Sequence, residues 1–280
     1  DNFIRVVRED SERQGLLFAG SEVSLYVSFD DGDNWQSLAL NLPPVPITDL
    51  AIRQNDLVAS TQGRALWVLD DLSALRQVRT DMIGKPLHVF TPGPVEMIKG
   101  GQSSEPPKNK GTNPPRGVVF NYHIRDEQED PLTIEITDSE GNLVRTYSSE
   151  ESDFERCIIG NMDQRLPFEV KYPPKEQGAN KWVWDMRRNG LHCIDDIKLF
   201  EGFAGAYVVP DTYQARISIG DAEDTVTLTL VTDRRVTADS YAIAEVEQKV
   251  FEITTLMNEL LDSLTSIRKS RTQIKALMTD

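Results

Sequence analysis

Hydrophobic and polar positions change their period along this chain of 280 residues, and each change predicts a different kind of element. Residues 1–91 read as β-structure. "GLLFAGSEVSLYVSF" (Gly15–Phe29) is rich in β-branched and aromatic residues broken by glycine, and "DLVASTQGRALWVLDD" (Asp56–Asp71) has the same character. At an offset of 40 residues the two segments match at Ala19/Ala59, Ser21/Thr61, Asp30/Asp70 and Asp31/Asp71. The triplet Leu25-Tyr26-Val27 returns as Leu66-Trp67-Val68, slipped by one residue, and a β-bulge would absorb such a slip. A repeat of about 40 residues is the size of a propeller blade.

Residues 92–116 are rich in Pro, Gly, Ser and Lys and nearly free of apolar side chains. They predict a linker, because they have too little surface to bury. From residue 117 to 235 strand patterns return. "GVVFNYHIRD" (Gly117–Asp126) alternates. Leu132–Ser148 predicts a hairpin turning at Ser139-Glu140-Gly141-Asn142. Asn180–Arg187 predicts a strand, and Thr212–Asp233 a second hairpin turning near Gly220-Asp221. Strands so spaced, with little helix, suggest an antiparallel sandwich. Residues 149–179 fit poorly and read as an insertion or a long loop.

Residues 236–280 contain neither glycine nor proline. Ile243, Val246, Val250, Ile253, Met257, Leu260, Leu264 and Ile267 recur three and four apart, and the seam resumes after Arg271 at Ile274 and Met278. This heptad pattern predicts one helix about 60 Å long at roughly 1.5 Å per residue. Its start is capped from within Thr237–Ser240. Such a stripe calls for a partner helix, from the same polypeptide or from a second copy meeting it through residues 243–278. Phe251, Leu256, Leu261 and Leu277 widen the stripe beyond a strict two-stranded seam, toward a bundle or a hairpin. The alternative is an ordinary amphipathic helix lying back over the sandwich.

Composition narrows the function classes. A formal net charge of −15 argues against non-specific binding to nucleic acid, a polyanion, and disfavours an anionic membrane surface. No apolar run approaches the ~18 residues of a spanning helix, so membrane insertion is not expected. The chain starts at Asp1 without a signal-peptide pattern, which reads as a fragment of a longer parent. Cys157 and Cys193 are the two cysteines; a disulfide and two free thiols are both open. His88, His123 and His192 are scattered and form no zinc spacing with them. No metal or other cofactor is expected.

The stretch "SFDDGDNW" (Ser28–Trp35) reads as a tight acidic turn. The Asp30 carboxylate would accept main-chain N–H groups, Gly32 would allow positive φ, and Trp35 would cover the turn. This makes Ser28, Asp30, Gly32 and Trp35 a structural clamp. The octet resembles the Asp-box, or bacterial neuraminidase (BNR) repeat, of sialidase-like and sortilin-like propellers, with Asn34 where Ser or Thr is more usual. "LVASTQGRALWVLDDLSAL", "NPPRGVVFNYHI", "NKWVWDMR" and the terminal helix extend the likeness to sortilin-like, glycosyl-hydrolase-type bacterial BNR proteins. Trp184-Asp185 and the turn Val209-Pro210-Asp211-Thr212-Tyr213 are similar to the immunoglobulin-like domain of flagellar hook-capping proteins, where a Trp-Asp pair and a Val-Pro-x-Gly-x-Tyr turn recur; the glycine is absent here. The resemblance implies a mainly β fold: incomplete β-propeller blades, an immunoglobulin-like β-sandwich and a long C-terminal helix. It implies a periplasmic or secreted location and the remainder of the parent propeller as partner, since two blades cannot close a ring.

No catalytic set is expected. Asp30-Asp31, Asp70-Asp71 and Asp195-Asp196 are adjacent pairs that point to opposite faces of a strand. His192-Cys193 diverges for the same reason, and neither a nucleophile elbow nor a phosphate loop is present. Arg64 with Trp67, and Trp182 with Trp184, are the candidates for contact with a ligand. The expected function is a non-catalytic interaction and architectural module. The alternatives are an accessory carbohydrate-binding part of a glycoside hydrolase and a sortilin-like peptide-binding module.

Overall fold

The computed structural model describes residues 3–82, 84–98, 111, 113–152, 157, 171–197, 199, 203–237 and 239–279. The chain is mainly β, with strands in several antiparallel sheets and one long C-terminal helix. It separates into two compact units. One holds Asp1–Lys85, Phe90–Gly93 and Thr112–Pro114; the other holds Pro86–Val89, Pro94–Gly111 and Pro115–Asp280. Among the described residues no sheet closes into a barrel or a propeller.

The first unit is built on a repeat. Strands β1 (Ile4–Glu9), β2 (Leu17–Ser21), β3 (Leu25–Ser28) and β4 (Gln36–Ser37) form one antiparallel meander. Strands β5 (Ile47–Arg53), β6 (Asp56–Thr61) and β7 (Leu66–Leu69) form a second, followed by the short helix α1 (Ser73–Gln77). The ladders agree in detail. Ile4 pairs with Ser21 and Ile47 with Thr61, each next to a register shift; Ala19 pairs with Tyr26 and Ala59 with Trp67. The one-residue slip is not a bulge, because the β6–β7 ladder runs without a shift. The extra residue sits in the hairpin turn. The Ser21 hydroxyl donates to the carbonyl of Ser24, whereas the equivalent Thr61 hydroxyl reaches Ala65, one residue later, and Gly63 and Ala65 both take positive φ. The register of β3 and β7 therefore aligns Asp30 with Asp71 rather than with Asp70.

Leu16, Phe18, Leu25 and Val27 from one meander and Ile47, Leu50 and Leu57 from the other are buried in a shared core. Close approach sets the identity of Gly20. A methyl there would lie 2.5 Å from Cγ2 of Ile47.

The second unit contains two sheets around one core. The first has the order β13 (Gly178–Trp184), β10 (Val118–Ile124), β8 (Leu87–Phe90). The second has the order β12 (Leu143–Ser148), β11 (Leu132–Thr137), β14 (Thr212–Ile219), β15 (Ala222–Thr232), β9 (Val95–Met97). Burial alternates with period two along β10, β11 and β14, as the pleat requires. The inward set, including Phe120, Tyr122, Ile134, Trp184, Tyr213 and Ile217, fills the core. Both expected hairpins form: Thr137 faces Leu143, and Ile219 faces Ala222 across Gly220-Asp221.

Two expected boundaries move. Leu87–Val89, placed in 1–91, belongs to the second unit, where β8 lies beside β10. Within the expected linker 92–116, Val95–Met97 joins β15 as a parallel edge strand, with Val95 opposite Leu230. Three residues suffice because Met97 is buried and Arg234 N–H donates to Glu96. Of the expected insertion 149–179, positions 153–156 and 158–170 lie outside the described residues.

Helix α2 (Ser240–Thr279) runs for 40 residues. Asp239 caps it by accepting the amide of Ala242 at 2.7 Å. It lies along its own unit. Arg188 pairs with Glu247, His192 bonds Asn258 and Asp262, and Arg268 donates to the Asp195 carbonyl. Leu261 is buried, but much of the apolar stripe is not. Among the described residues no helix is long and apolar enough to cross a membrane.

Candidate functional site

The acidic turn after β3 closes on itself. Ser28 Oγ donates to Asp30 Oδ1 at 2.8 Å and accepts the Gly32 amide at 2.9 Å. Asp30 Oδ1 also accepts the amide of Asn34 at 2.9 Å, and Oδ2 accepts the Asn34 side-chain amide at 2.7 Å. Both carboxylate oxygens are thus engaged inside the octet. Asn34, through its side chain first and then its backbone, together with Ser28, holds the Asp30 carboxyl below its usual range. Gly32 has φ +95°, and Trp35 lies over it: a methyl on Gly32 would sit 3.8 Å from the indole. The ring remains 40% exposed, a cover rather than a core residue.

This geometry carries a pH prediction. A depressed carboxyl stabilises the fold above its unfolded pKa, and that contribution disappears as pH falls through the folded value. Asp30→Asn is therefore expected to lower the urea midpoint of the first unit at neutral pH, with the gap to the parent chain narrowing as the solution is acidified below pH ~4. A gap independent of pH would contradict a role for the charge.

Arg64 and Trp67 come together through main chain. The Trp67 indole donates to the Arg64 carbonyl at 3.0 Å, while the Arg64 side chain is exposed. Half-buried Trp67 packs on the unit's core, so this pair closes a turn much as Trp35 does. Trp182 and Trp184 do share a face of β13, but not as an open platform. Trp184 is 0% exposed, donates to the Arg187 carbonyl at 2.9 Å and meets Tyr213 edge-on at 5.6 Å. With no accessible ring face it drops out as a ligand contact. Trp182 is half-buried edge-on against Tyr147, and its indole N–H has no hydrogen-bond partner among the described residues. Cys157 and Cys193 are joined in a disulfide.

The strongest polar cluster in the first unit joins residues that sequence patterning did not single out. Asp10, whose side chain is 0% exposed, receives Arg76 Nε at 3.0 Å and Nη2 at 2.9 Å. It also accepts the amides of Glu12 and Arg13. Arg76 continues to Asn55 Oδ1 at 2.6 Å and to the Gln54 carbonyl. Burial alone would raise the Asp10 carboxyl, but Arg76 and the two amides outweigh it and the net shift is downward. The separation of 66 residues hides the pair from any local pattern. The one sequence signal is Asp10 itself, set to close an Asx-type turn onto Glu12 and Arg13.

A cavity of about 490 Å³ lies in the second unit, lined by β12, by Arg188–His192 and by Val250, Phe251, Thr254 and Asn258 of α2. Its basic side chains make contacts of their own: Arg188 with Glu247, His192 Nδ1 with Asp262, and Arg145 Nη1 with the Arg188 carbonyl and its guanidinium over the face of Tyr147. Among the described residues no group of three or more His, Cys, Asp or Glu side chains is arranged to hold a metal.

No protein-family model matches this chain, and no curated protein matches it. Among solved structures, the extracellular domain of a hybrid two component system from B. thetaiotaomicron is similar over 83% of this chain, at 8% sequence identity and a TM-score of 0.21. This chain spans 26% of that one. A likeness so slight carries no argument about fold or function.

Proposed function

We propose that this chain is a non-catalytic interaction and architectural module of a larger extracytoplasmic repeat protein. In this reading β1–β4 and β5–β7 are blades of a propeller, and the second unit is an immunoglobulin-like sandwich.

The observation that carries the reading is an incomplete repeat. The second meander reproduces β1–β3 in ladder and turn, yet among the described residues no strand plays the part of β4 on the outer side of β7. Leu66 is 68% and Val68 52% exposed on that strand. A sheet with an open edge and an apolar face is a surface for adding another sheet or strand. Meanwhile Asp30, Trp67 and Trp184, which could have served chemistry, are each spent on local structure. In the second unit, the Tyr213 hydroxyl donates to the Val209 carbonyl at 2.8 Å beside fully buried Trp184. A tyrosine corner and a core tryptophan of this kind support the immunoglobulin-like reading. The disulfide supports an oxidising compartment.

Amide hydrogen exchange tests the proposal. In the chain alone, the outward amides of β7 are expected to exchange at the rate of an open edge. Joined to the neighbouring repeats of its parent polypeptide, they should become protected. Unchanged exchange would remove the propeller reading. Turnover of glycosides by the chain, or glycan binding lost on Trp182→Ala with the fold intact, would install the carbohydrate alternative.

A further inference from the structure

The outer face of α2 is apolar and ordered by charge. Glu247, Val250, Thr254, Asn258 and Leu261 are turned at least partly out of solvent, and several of them bond or line the unit that α2 lies on. A second row, Val246, Ile253, Leu260, Ile267 and Ile274, recurs every seven residues and is 54–63% exposed throughout. Leu256 beside it is 64% exposed. Apolar side chains held at a seven-residue spacing on a regular helix form a seam for another helix. Nothing described in this unit covers them.

Charge says which helix fits. From Tyr241 to Asp262 the helix carries five acidic side chains and one lysine, a net of −4. From Ser263 to Thr279 it carries four basic side chains and no acid, a net of +4. Arg188 engages Glu247, His192 engages Asp262 and Lys249 of the same helix engages Glu252, while Glu245, Glu252 and Glu259 stand in a line next to the apolar row, seven residues apart. The row is centred on Leu260, close to where the charge changes sign. A second copy laid in the same direction sets acid against acid and base against base. Laid in the opposite direction about Leu260, it sets each acidic half against a basic half and brings Val246 opposite Ile274 and Ile253 opposite Ile267. A twofold, self-complementary contact is the usual geometry of a dimer.

We infer that α2 pairs with the α2 of a second copy of this chain, antiparallel and centred on Leu260. The inference stands on the helix alone and is independent of the propeller reading.

Sedimentation equilibrium of the 280-residue chain is expected to give a dimer. Leu260→Glu places two like charges at the centre of the contact and should weaken it by on the order of 100-fold, with circular dichroism unchanged because the position is exposed. Added salt should loosen the antiparallel pair, since screening removes an attraction; it would tighten a parallel one. The two cysteines are already joined to each other, so introduced thiols report cleanly. Oxidation of a mixture of Val246→Cys and Ile274→Cys chains, made distinguishable by mass, should yield the mixed cross-link. Like-with-like cross-links, or tightening with salt, would overturn the orientation. A strict monomer at ~100 μM, well above a micromolar Kd, would overturn the pairing and leave the face to some other helix of the parent polypeptide.

Discussion

Trp184→Ala is expected to destabilise the second unit by about 3–5 kcal/mol, the range for emptying an aromatic site in a packed core. The side chain is fully buried at the end of β13, in a core shared with Tyr122 and Ile134. Truncation removes its van der Waals contacts, its edge-on contact with Tyr213 and the bond from its indole nitrogen to the Arg187 carbonyl. That carbonyl is then left without the donor it has in the native state. Trp184→Phe keeps much of the volume and should fall short of the full loss. Urea unfolding followed by far-ultraviolet circular dichroism measures both. A loss below ~1 kcal/mol for the alanine variant would mean that the site collapses around the gap, against the range for such cores.

Arg76→Ala is expected to be comparably severe in the first unit, again about 3–5 kcal/mol, because breaking a buried ion pair from one side leaves a desolvated charge. Asp10 is inaccessible to water and cannot recover its hydration without opening the fold. Arg76→Met retains most of the apolar stem and should lose nearly as much, which separates the charge from the packing. The contact between Arg76 and exposed Glu12 contributes little to this figure. The pH dependence should also change. With Arg76 present the Asp10 carboxyl lies below its unfolded value, so it stabilises at neutral pH and the contribution is lost as pH falls through the folded pKa. Without Arg76, burial acts against only the two amides, and the loss of stability on the acid side should shrink. Stability measured from pH 3 to 7 in both variants reads the effect directly.

Local patterns were legible where one residue answers to its near neighbours. The clamp Ser28–Trp35 is such a case, since its bonds join residues two and four apart. So are the two hairpins of the second unit, whose alternation and turn residues agree. The heptad over 243–278 predicted a long helix, and a helix spans it. Similarity along the chain does not by itself fix register. The one-residue slip between the two meanders looked like a bulge, but an added turn residue accounts for it as simply and leaves the same trace in the sequence.

Val95–Met97 shows another limit. In a segment dominated by Pro, Gly and Lys, three residues carry no strand pattern of their own. They become a strand because the edge of β15 presents partners for them. The Asp10–Arg76 pair is a third case: two ordinary charged residues acquire their importance from being buried together.

Read without coordinates, the residues settle the mainly β character, the repeated meander, the self-closing acidic turn and the terminal helix, because each depends on interactions within a few positions of the chain. Tertiary folding assigns the rest. It buries Trp184 and leaves Trp182 half-covered on the same strand, gives the second meander three strands among the described residues where the first has four, and turns one row of α2 toward its own unit and another toward solvent. Those outcomes depend on which distant surfaces meet, and a local pattern of apolar and polar residues carries no record of its partner.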